Sequence, residues 1–311
     1  MNEFDYINKY FKPLTNEFAG NLKNDAAIFN QKSTLDLIIS TDTLAEGIHF
    51  FGDEDPVDIA KKSLRVNLSD MAAMGAKPIF YNLSLSIPKE KVQKFIPKFA
   101  KGLHEDQKQF DIKLIGGDLT SSLKHINITI TIFGNTSRGK SISRDGAQIG
   151  DCLYVSGILG LSKIGLDNFD SNLEEFLEAK KKYLLPLPRI DLGVSLKNIA
   201  NSMIDISDGL VQDSIHLAKN SKSSIELNLS KIPLPNLNKI SKKKILNSAL
   251  YGGDDYELLF SCNPVHENYL KKLSSKLNLK LTKIGIFKEL KKEYLYFKNN
   301  SSALKKSYLH F

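Results

Sequence analysis

Apolar residues in the first half of the chain alternate between the spacing of strands and the spacing of helices. A short run rich in Ile and Leu at 35–40 predicts a strand, and apolar or small residues at helical intervals over 57–75 predict a helix. The alternating segment 79–87 predicts a second strand, which ends at Pro88. Residues 90–109 predict an amphipathic, lysine-rich helix. The first half therefore begins as an alternation of strands and helices.

Two further apolar segments complete this half. Residues 111–118 predict a strand that runs into a glycine turn, and the alternating β-branched side chains of 125–133 predict another strand. As an exposed edge, 125–133 would invite association through its unpaired backbone groups. Residues 134–150 are dense in Gly, Ser and charged residues. We therefore place a domain boundary there, which divides the chain into 1–140 and 141–311.

The second half repeats the alternation. Its predicted strands, some with the turn that follows, are 152–160, 202–207, 224–230, 257–262 and 280–287. Helices are predicted around 172–184 and over 208–219, the second with Ser207 as its cap. Strands and helices alternate in both halves, so the sequence predicts an α/β (α+β) fold built from two sandwich domains.

Aspartates recur at or near the ends of these apolar segments, often beside Gly or Ser. They are Asp42, Asp70, Asp118, Asp205, Asp208, Asp254 and Asp255. An isolated buried carboxylate is costly unless it is paired or binds a metal, and several carboxylates at one point repel each other. Mg²⁺ resolves that repulsion, because it binds carboxylate oxygens together with substrate phosphates. The pattern predicts a site for a nucleotide and Mg²⁺.

Composition narrows the class of protein. The chain has 311 residues, of which 25% are charged and 41% hydrophobic, and these values are typical of a soluble globular protein with two domains. The net charge of +8 comes mostly from lysines in the C-terminal half. Such lysines could form a nucleic-acid or membrane-surface patch. Because the basic stretches lack interleaved aromatic residues and an Arg cluster, we interpret them as a solvated surface and expect no nucleic-acid partner.

Cysteine content and the N terminus bear on the compartment. The chain has two isolated cysteines, Cys152 and Cys262, which form neither a disulfide framework nor a metal motif. Residues 1–13 contain no apolar core typical of a signal peptide, and no apolar run reaches the roughly 18 residues that span a bilayer. We expect a cytoplasmic protein with no membrane partner.

Residues 134–141, Gly-Asn-Thr-Ser-Arg-Gly-Lys-Ser, fit the Walker A pattern in full. In that motif a backbone cradle binds the phosphates and Lys140 would reach the terminal phosphate. The motif also requires a helix that starts at its end, because the helix N terminus completes the phosphate site. The residues that follow have no helical periodicity and include two glycines. We predict a turn between strands here, with a P-loop as the less favoured alternative.

Seven short motifs, in a fixed order along the chain, resemble those of the thiamine-monophosphate kinases, a family within the PurM-like (AIR synthetase-related) superfamily. Each motif alone is weak, because GGD or SDG often marks a turn at the end of a strand. The motifs are NDAAIF, STDTLAEGIHF, NLSDMAAMGAKP, IGGDLTSS, RDGAQIGD, DISDGL and GGDDYELLF, and a terminal YLHF follows them.

This resemblance implies ATP-dependent phosphorylation of thiamine monophosphate to thiamine diphosphate, with Mg²⁺. In the family the γ-phosphoryl group is thought to pass directly to the substrate phosphate, so catalysis depends on positioning and on neutralising charge. The resemblance also implies a two-domain PurM-like architecture whose N-terminal sheets pair in a homodimer with twofold symmetry.

The resemblance implies three groups of site residues. The implied Mg²⁺ ligands are Asp25, Ser40, Thr41, Asp42, Asp70, Asp118, Asp205 and Asp208. The implied ATP contacts are Gly117, Asp118, Arg144 and Ser207. The implied contacts to thiamine monophosphate are His49, Asp254 and Tyr308.

The chain departs from the family pattern at three motifs, and one of these departures is Leu119, which follows the GGD motif where the family usually has threonine. Lys23-Asn24-Asp25 stands where the family usually has Gly-Asp-Asp, and Asp254 stands where it usually has Glu. The other aspartates are retained, so the sequence predicts an active enzyme. Two alternative functions remain open. One is another PurM-like ATP-using synthetase or maturation enzyme, and the other is a non-catalytic regulator that binds a nucleotide or a thiamine phosphate.

Overall fold

A computed structural model describes residue 24, residues 27–30 and residues 34–298 of the chain. These residues form a mixed α/β structure with two separate β-sheets, which confirms the predicted α/β (α+β) class. Two residues predicted for the site, the Mg²⁺ ligand Asp25 and the substrate contact Tyr308, lie outside the described residues.

The N-terminal half contributes the first sheet and two long helices. In chain order its elements are β1 Ala27–Asn30, β2 Leu35–Ala45, α1 Pro56–Ala73, β3 Lys77–Pro88, α2 Val92–Phe110, β4 Lys113–Ser122 and β5 Asn127–Ser137.

The C-terminal half contributes the second sheet and shorter helices. Its strands are β6 Cys152–Ser156, β7 Ala200–Asp205, β8 Ser224–Leu227, β9 Leu258–Cys262, β10 Leu281–Lys288 and β11 Leu295–Phe297. Its α-helices are α3 Leu161–Asp167, α4 Leu177–Leu184, α5 Ile190–Ser195, α6 Leu210–Asn220, α7 Lys242–Tyr251 and α8 Glu267–Leu277. Short 3₁₀ turns cover Glu174–Phe176, Leu229–Lys231 and Pro264–His266.

The N-terminal sheet has the strand order β1-β2-β5-β3-β4, and only the β3–β4 pair is parallel. Alternate residues of β5 point to opposite faces. Ile128, Ile130 and Ile132 are buried in the core that includes α1 and α2. The opposite face, here named the open face, is partly exposed. It carries Ile39, Thr41 and Thr43 of β2, Thr129, Thr131 and Phe133 of β5, and Phe80, Asn82 and Ser84 of β3.

The C-terminal sheet has the strand order β11-β8-β10-β6-β9-β7, and only the β11–β8 pair is parallel. Apolar cores lie on both of its sides. One core includes Leu210 and Leu217 of α6, and the other includes Leu192 of α5 and Leu270 of α8. Burial on both sides explains why strands such as β6 and β9 are buried along their whole length.

Helix α1 lies between the two halves. The side chain of Asp55, the residue just before the helix, caps its N terminus. Of the 18 residues of α1, 13 are buried. Ala72 and Ala73, at its C-terminal end, belong to an apolar core of the C-terminal half. Helix α5 packs so closely there that a Cβ atom at Gly193 would lie 2.0 Å from the carbonyl oxygen of Ala72. Only glycine permits this approach, so α1 is in direct contact with both halves.

The structure corrects three details predicted from the sequence. Residues 125–133 do not form a sheet edge, because β5 lies between β2 and β3 and the described edges are β1 and β4. Residues 116–118 do not form a turn, since β4 continues through them to Ser122. Ser207 does not cap the following helix, whose cap is Gly209 with no side-chain hydrogen bond.

Strand β5 ends at Ser137 and β6 begins at Cys152, so the boundary between 1–140 and 141–311 would fall in the connecting segment. These domain limits remain a prediction. Across the described residues, no helix combines the length and apolar character that crossing a membrane requires.

Two buried carboxylates hold the segment that follows α7. Asp255 accepts a hydrogen bond from the backbone N–H of Gly160 at 2.7 Å, and burial raises its pKa to about 7. Burial also disfavours the charge of Glu257, but Lys182 and Arg189 outweigh it and lower the pKa of that carboxyl. One carboxylate is therefore stabilised by two cations, whereas its neighbour is held mainly by backbone donors.

We expect the Asp255→Asn variant to flatten the dependence of stability on pH. The raised pKa means that the folded chain keeps the Asp255 proton between about pH 4 and pH 7, where the unfolded chain has lost it. Its contribution to stability is complete below about pH 4 and is lost as the pH rises to about 7. Asparagine does not titrate and keeps an acceptor for Gly160.

Melting temperatures measured from pH 4 to pH 8 test this expectation. The Tm of the variant should rise relative to the unmodified chain by several degrees between pH 4 and pH 7. The control is Asp170→Asn, which changes an exposed carboxylate and should leave the pH profile unchanged. Parallel profiles for Asp255→Asn and the unmodified chain would contradict the assignment.

Candidate active site

A cavity of about 510 Å³ lies where the two halves meet. Strand β2 and helix α1 form one side, and the segments after β7 and α7 form the other. Ten of the residues predicted for the site line this cavity. They are Ser40, Thr41, Asp42, His49, Asp70, Arg144, Asp205, Ser207, Asp208 and Asp254.

One end of the cavity is acidic. Asp70 accepts a hydrogen bond from the Ser40 hydroxyl at 2.5 Å, and Asp205 accepts one from the Ser69 hydroxyl at 2.6 Å. The backbone N–H of Asp42 donates to the Asn67 side chain at 3.1 Å. Ser69, Asn67 and Asp70 all belong to α1, so this helix positions carboxylates from both halves. Asp42 lies inside β2 rather than at its end, which corrects the sequence interpretation.

The pKa of Asp213, which lies beside this end, shows how closely the negative charges gather. Burial raises the pKa of Asp213 well above its ordinary value, and the charges of Asp208 and Asp205 raise it further, while Arg144 opposes them. Asp213 also accepts a hydrogen bond from the backbone N–H of Asp208 at 3.2 Å. This acidic end therefore favours the binding of cations.

The donor chemistry of this end fits a hard divalent cation. Asp42, Asp70, Asp205 and Asp208 supply carboxylate oxygens, which Mg²⁺ prefers. In the part of the chain that the structure describes, no three His, Cys, Asp or Glu side chains are close enough to hold an ion by themselves. Mg²⁺ usually retains waters and binds substrate phosphates in addition to one or two carboxylates, so such an open arrangement suits it. The hydroxyl of Thr41 donates to Thr131 on the open face instead.

The other end of the cavity combines aromatic rings, a histidine and one carboxylate. Tyr183 lines the cavity, and Phe51 and Phe169 pack against it from outside the lining, with ring centroids 6.4 and 6.0 Å away. The ring Nδ1 of His49 accepts a hydrogen bond from the backbone N–H of Ala45 at 3.0 Å, which fixes the orientation of the imidazole. This end can hold a flat organic ring.

The segment that carries Asp254 has an unusual backbone. Asp254 and Tyr256 both have positive φ angles, 66° and 48°, in the left-handed region that non-glycine residues seldom adopt. Backbone hydrogen bonds to Ser207 and Ile206 hold them there. The Tyr256 hydroxyl donates to Asp254 at 3.2 Å. Strain of this kind persists only where surrounding contacts impose it, and it is typical of functional sites.

Two predicted ATP contacts, Gly117 and Asp118, do not line the cavity. Both lie in the exposed edge strand β4. A Cβ atom at Gly117 would lie 1.8 Å from the carbonyl oxygen of Leu83, so glycine is required there for close pairing with β3. In the strand register Asp118 lies opposite Ser84, so its side chain is on the open face. Asp42 lies opposite Ile130, so its side chain is on the buried face. Within one chain, the strands that carry these two carboxylates are three strand spacings, about 14 Å, apart.

The Walker A-like segment does not have the structure of a P-loop. Residues 134–137 complete strand β5, and the chain then continues without a helix as far as β6. The backbone N–H of Gly139 donates to the Asp36 side chain at 2.7 Å. Lys140 is exposed and does not line the cavity.

Sequence reasoning missed four residues in or behind the cavity wall. They are Lys62, Tyr183, Asp213 and Tyr256. The position of Asp213, on the buried face of a helix directly after the SDG motif, is the one signal that could have identified a member of this set. Lys62 and Tyr183 reach the site through contacts that join distant parts of the chain, so no local pattern marks them.

Comparisons with known proteins agree with this geometry. Residues 23–136 match the family AIR synthase related protein, N-terminal domain. The thiamine-monophosphate kinase of Buchnera aphidicola subsp. Schizaphis graminum is 37% identical over 322 aligned positions, which cover 100% of this chain and 99% of that protein. The thiamine-monophosphate kinase of Haemophilus influenzae is 38% identical over 301 positions, covering 93% of this chain and 90% of that protein.

A solved structure shows the same fold. AaThiL complexed with AMPPCP and TMP superimposes with a TM-score of 0.88 at 31% identity, covering 100% of this chain and 97% of the other. Sequence identity, coverage and fold agree over the full length, so this chain belongs to the thiamine-monophosphate kinase family.

Proposed function

We propose that this chain transfers the terminal phosphoryl group of ATP to thiamine monophosphate, with Mg²⁺, to form thiamine diphosphate and ADP. The observation that carries this proposal is a single cavity with an acidic end that suits a metal–polyphosphate and an aromatic end that suits a flat ring. AMPPCP, an analogue of ATP, and TMP are bound together by the related AaThiL. The pattern of aspartates in the sequence, which predicts a nucleotide site with Mg²⁺, is in keeping with this reaction.

The acidic end would hold Mg²⁺ and the phosphates. Asp42, Asp70, Asp205 and Asp208 are the carboxylates available to the ion. When bound, Mg²⁺ supplies positive charge that offsets repulsion between two anionic reactants. Arg144 lines the same region, and its planar guanidinium can donate two parallel hydrogen bonds to phosphate oxygens. We also propose that Asp25, Ser40, Thr41 and Ser207 serve this end.

The aromatic end would hold thiamine monophosphate. Asp254 can accept hydrogen bonds from the amino group of the substrate or attract its cationic ring, and His49 lines the adjacent wall. Tyr308 is proposed to join this end. Orientation of the substrate in this way would place an oxygen of its phosphate beside the terminal phosphorus of ATP.

The transfer itself would be direct. An oxygen of the substrate phosphate forms a bond to the γ-phosphorus, the bond from that phosphorus to the bridging oxygen breaks, and ADP leaves with the electron pair. The residues of the chain position both reactants and stabilise charge, and none of them needs to form a covalent bond.

We propose that the working unit is a twofold homodimer in which Asp118 of a second copy completes each site. Within one chain Asp118 and Asp42 lie on opposite faces of the sheet. Strand β4 is an edge that exposes Leu114, Ile115 and Leu119 at 44%, 57% and 61%. Such an edge invites pairing with another chain. Pairing of this edge with a second copy would place Asp118 at the interface between the copies.

We also propose that the protein works in the cytoplasm, where ATP is available and thiols stay reduced. Its two cysteines, Cys152 and Cys262, are free and buried, although they are partners in adjacent antiparallel strands. Free thiols in such a position are in keeping with a reducing compartment.

Purified protein incubated with ATP, Mg²⁺ and thiamine monophosphate should yield ADP and thiamine diphosphate in equal amounts, resolved by chromatography. Omission of thiamine monophosphate should abolish ADP formation, and EDTA should abolish both products. Release of ADP and phosphate without thiamine diphosphate would instead indicate a PurM-like synthetase. Binding of both ligands without turnover would indicate a regulator.

Asp208→Asn should raise the Mg²⁺ concentration for half-maximal rate by at least about 100-fold, because even residues behind a metal ligand cost 10- to 100-fold when removed. Its Tm should change little, since Asp208 does not cap helix α6 through its side chain. Asp42→Asn should lower turnover for the same reason, because it removes another carboxylate from the metal end of the site. The control is Asp53→Asn, an exposed carboxylate outside the cavity. An unchanged Mg²⁺ titration for Asp208→Asn would exclude this residue as a ligand.

Mixed dimers test the proposed role of Asp118. Asp42→Asn and Asp118→Asn should each be inactive alone. Co-expressed with different affinity tags, they should regain about a quarter of full activity, because half of randomly formed dimers are mixed and each has one intact site. If each site used the Asp118 of its own chain instead, no dimer would contain an intact site and no activity would return. A monomeric mass by light scattering at micromolar concentration would contradict the dimer itself.

A further inference from the structure

Lys62 is a buried cation directly behind the aromatic end of the cavity. It lies in the second turn of α1 and its side chain is 3% exposed. Its ammonium group donates to Asp254 at 2.9 Å and to the backbone carbonyl of His49 at 3.2 Å. It also lies 3.6 Å from the centre of the Tyr183 ring. Lys62 does not line the cavity itself, but all three of its partners do.

These contacts lock three separate segments into one wall. The Tyr183 hydroxyl donates to the same His49 carbonyl at 3.1 Å, so that oxygen receives two hydrogen bonds. Both oxygens of Asp254 are engaged, one by Lys62 and the other by Tyr256. Asp254 also has the positive φ angle described above, which needs contacts to maintain it.

Burial makes these interactions strong. A lysine side chain is almost never fully buried unless its charge is paired. Here the charge is compensated by one carboxylate, one carbonyl dipole and the face of one aromatic ring. All of this compensation is directed at the wall of the cavity. A second buried ion pair of α1, Arg65–Asp106 at 2.7 Å, joins α1 to α2 and has no partner in the cavity lining.

We infer that Lys62 is a positioning residue for the thiamine monophosphate end of the site: it fixes Asp254 and the His49 segment so that they bind the organic part of the substrate. This inference rests on the proposed function. It assigns Lys62 to the affinity for thiamine monophosphate and not to the affinity for ATP, because its own three side-chain contacts, to Asp254, His49 and Tyr183, all belong to the aromatic end.

The test compares Lys62→Met, which removes the charge and keeps the length of the side chain, with the unmodified enzyme. The KM for thiamine monophosphate should rise at least about tenfold, as expected when one partner of a hydrogen-bonded charge pair is lost. The KM for ATP should stay within about twofold. The matched control is Lys61→Met, the neighbouring lysine, which pairs with Glu105 at 2.6 Å outside the cavity. It should change neither constant.

A double-mutant cycle shows whether Lys62 acts through Asp254. If it does, Lys62→Met combined with Asp254→Asn should be no worse for thiamine monophosphate than Asp254→Asn alone. Lys62→Gln, which keeps a donor without the charge, should give an intermediate KM. Tm values of all variants separate loss of fold from loss of affinity.

Each outcome decides the inference. Equal changes in the two KM values, or additive effects in the cycle, would give Lys62 a general structural role and overturn the inference. Failure of both Lys62→Met and Lys62→Gln to fold would overturn it as well. If the unmodified protein makes thiamine diphosphate but Lys62→Met keeps a normal KM, only the role of Lys62 fails. If the unmodified protein makes none, the proposed function fails first.

Discussion

The buried polar side chains of helix α1 set the constraint on which the site depends. A polar group removed from water has to find a hydrogen-bond partner, or the fold loses roughly 1–3 kcal/mol for each one. Lys62 donates a hydrogen bond to Asp254, and Ser69 donates one to Asp205. Both acceptors belong to the C-terminal half of the chain. The helix therefore positions the two halves through specific contacts as well as through apolar packing. The cavity lies where those contacts occur.

This arrangement separates the site into two regions with different electrostatics. At the acidic end, Asp70 and Asp205 each accept a hydrogen bond from a serine hydroxyl, and the charges of Asp205 and Asp208 raise the pKa of the buried Asp213. At the other end, Asp254 forms an ion pair with the buried ammonium group of Lys62. A cluster of carboxylates at one end and a single buried ion pair at the other give the two ends different electrostatic environments.

The sequence predicted the features that local patterns encode. Alternation and helical spacing located most strands and helices, and motif order indicated which aspartates would converge. Ten of the predicted site residues line one cavity, including Asp42 and Asp208. The errors arose where tertiary pairing decides the outcome. The alternation of 125–133 is the same for a central strand as for an edge, and two glycines in β4 resemble a turn although they allow close pairing with β3. Lys62 and Tyr183 could not be identified, since their importance comes from partners far away in the chain.

The contacts of α1 also have a consequence for biosynthesis. Ser69 and Asp205 are 136 positions apart, and Lys62 and Asp254 are 192 positions apart. At a translation rate of about 5–20 residues per second, roughly 10–40 s pass between the synthesis of Lys62 and that of its partner. During that interval the N-terminal sheet can pair its strands on the ribosome, but the polar side of α1 has to stay hydrated. The N-terminal half can bury the apolar side of α1 early, but the contacts of Lys62 and Ser69 have to wait until the C-terminal half has been made.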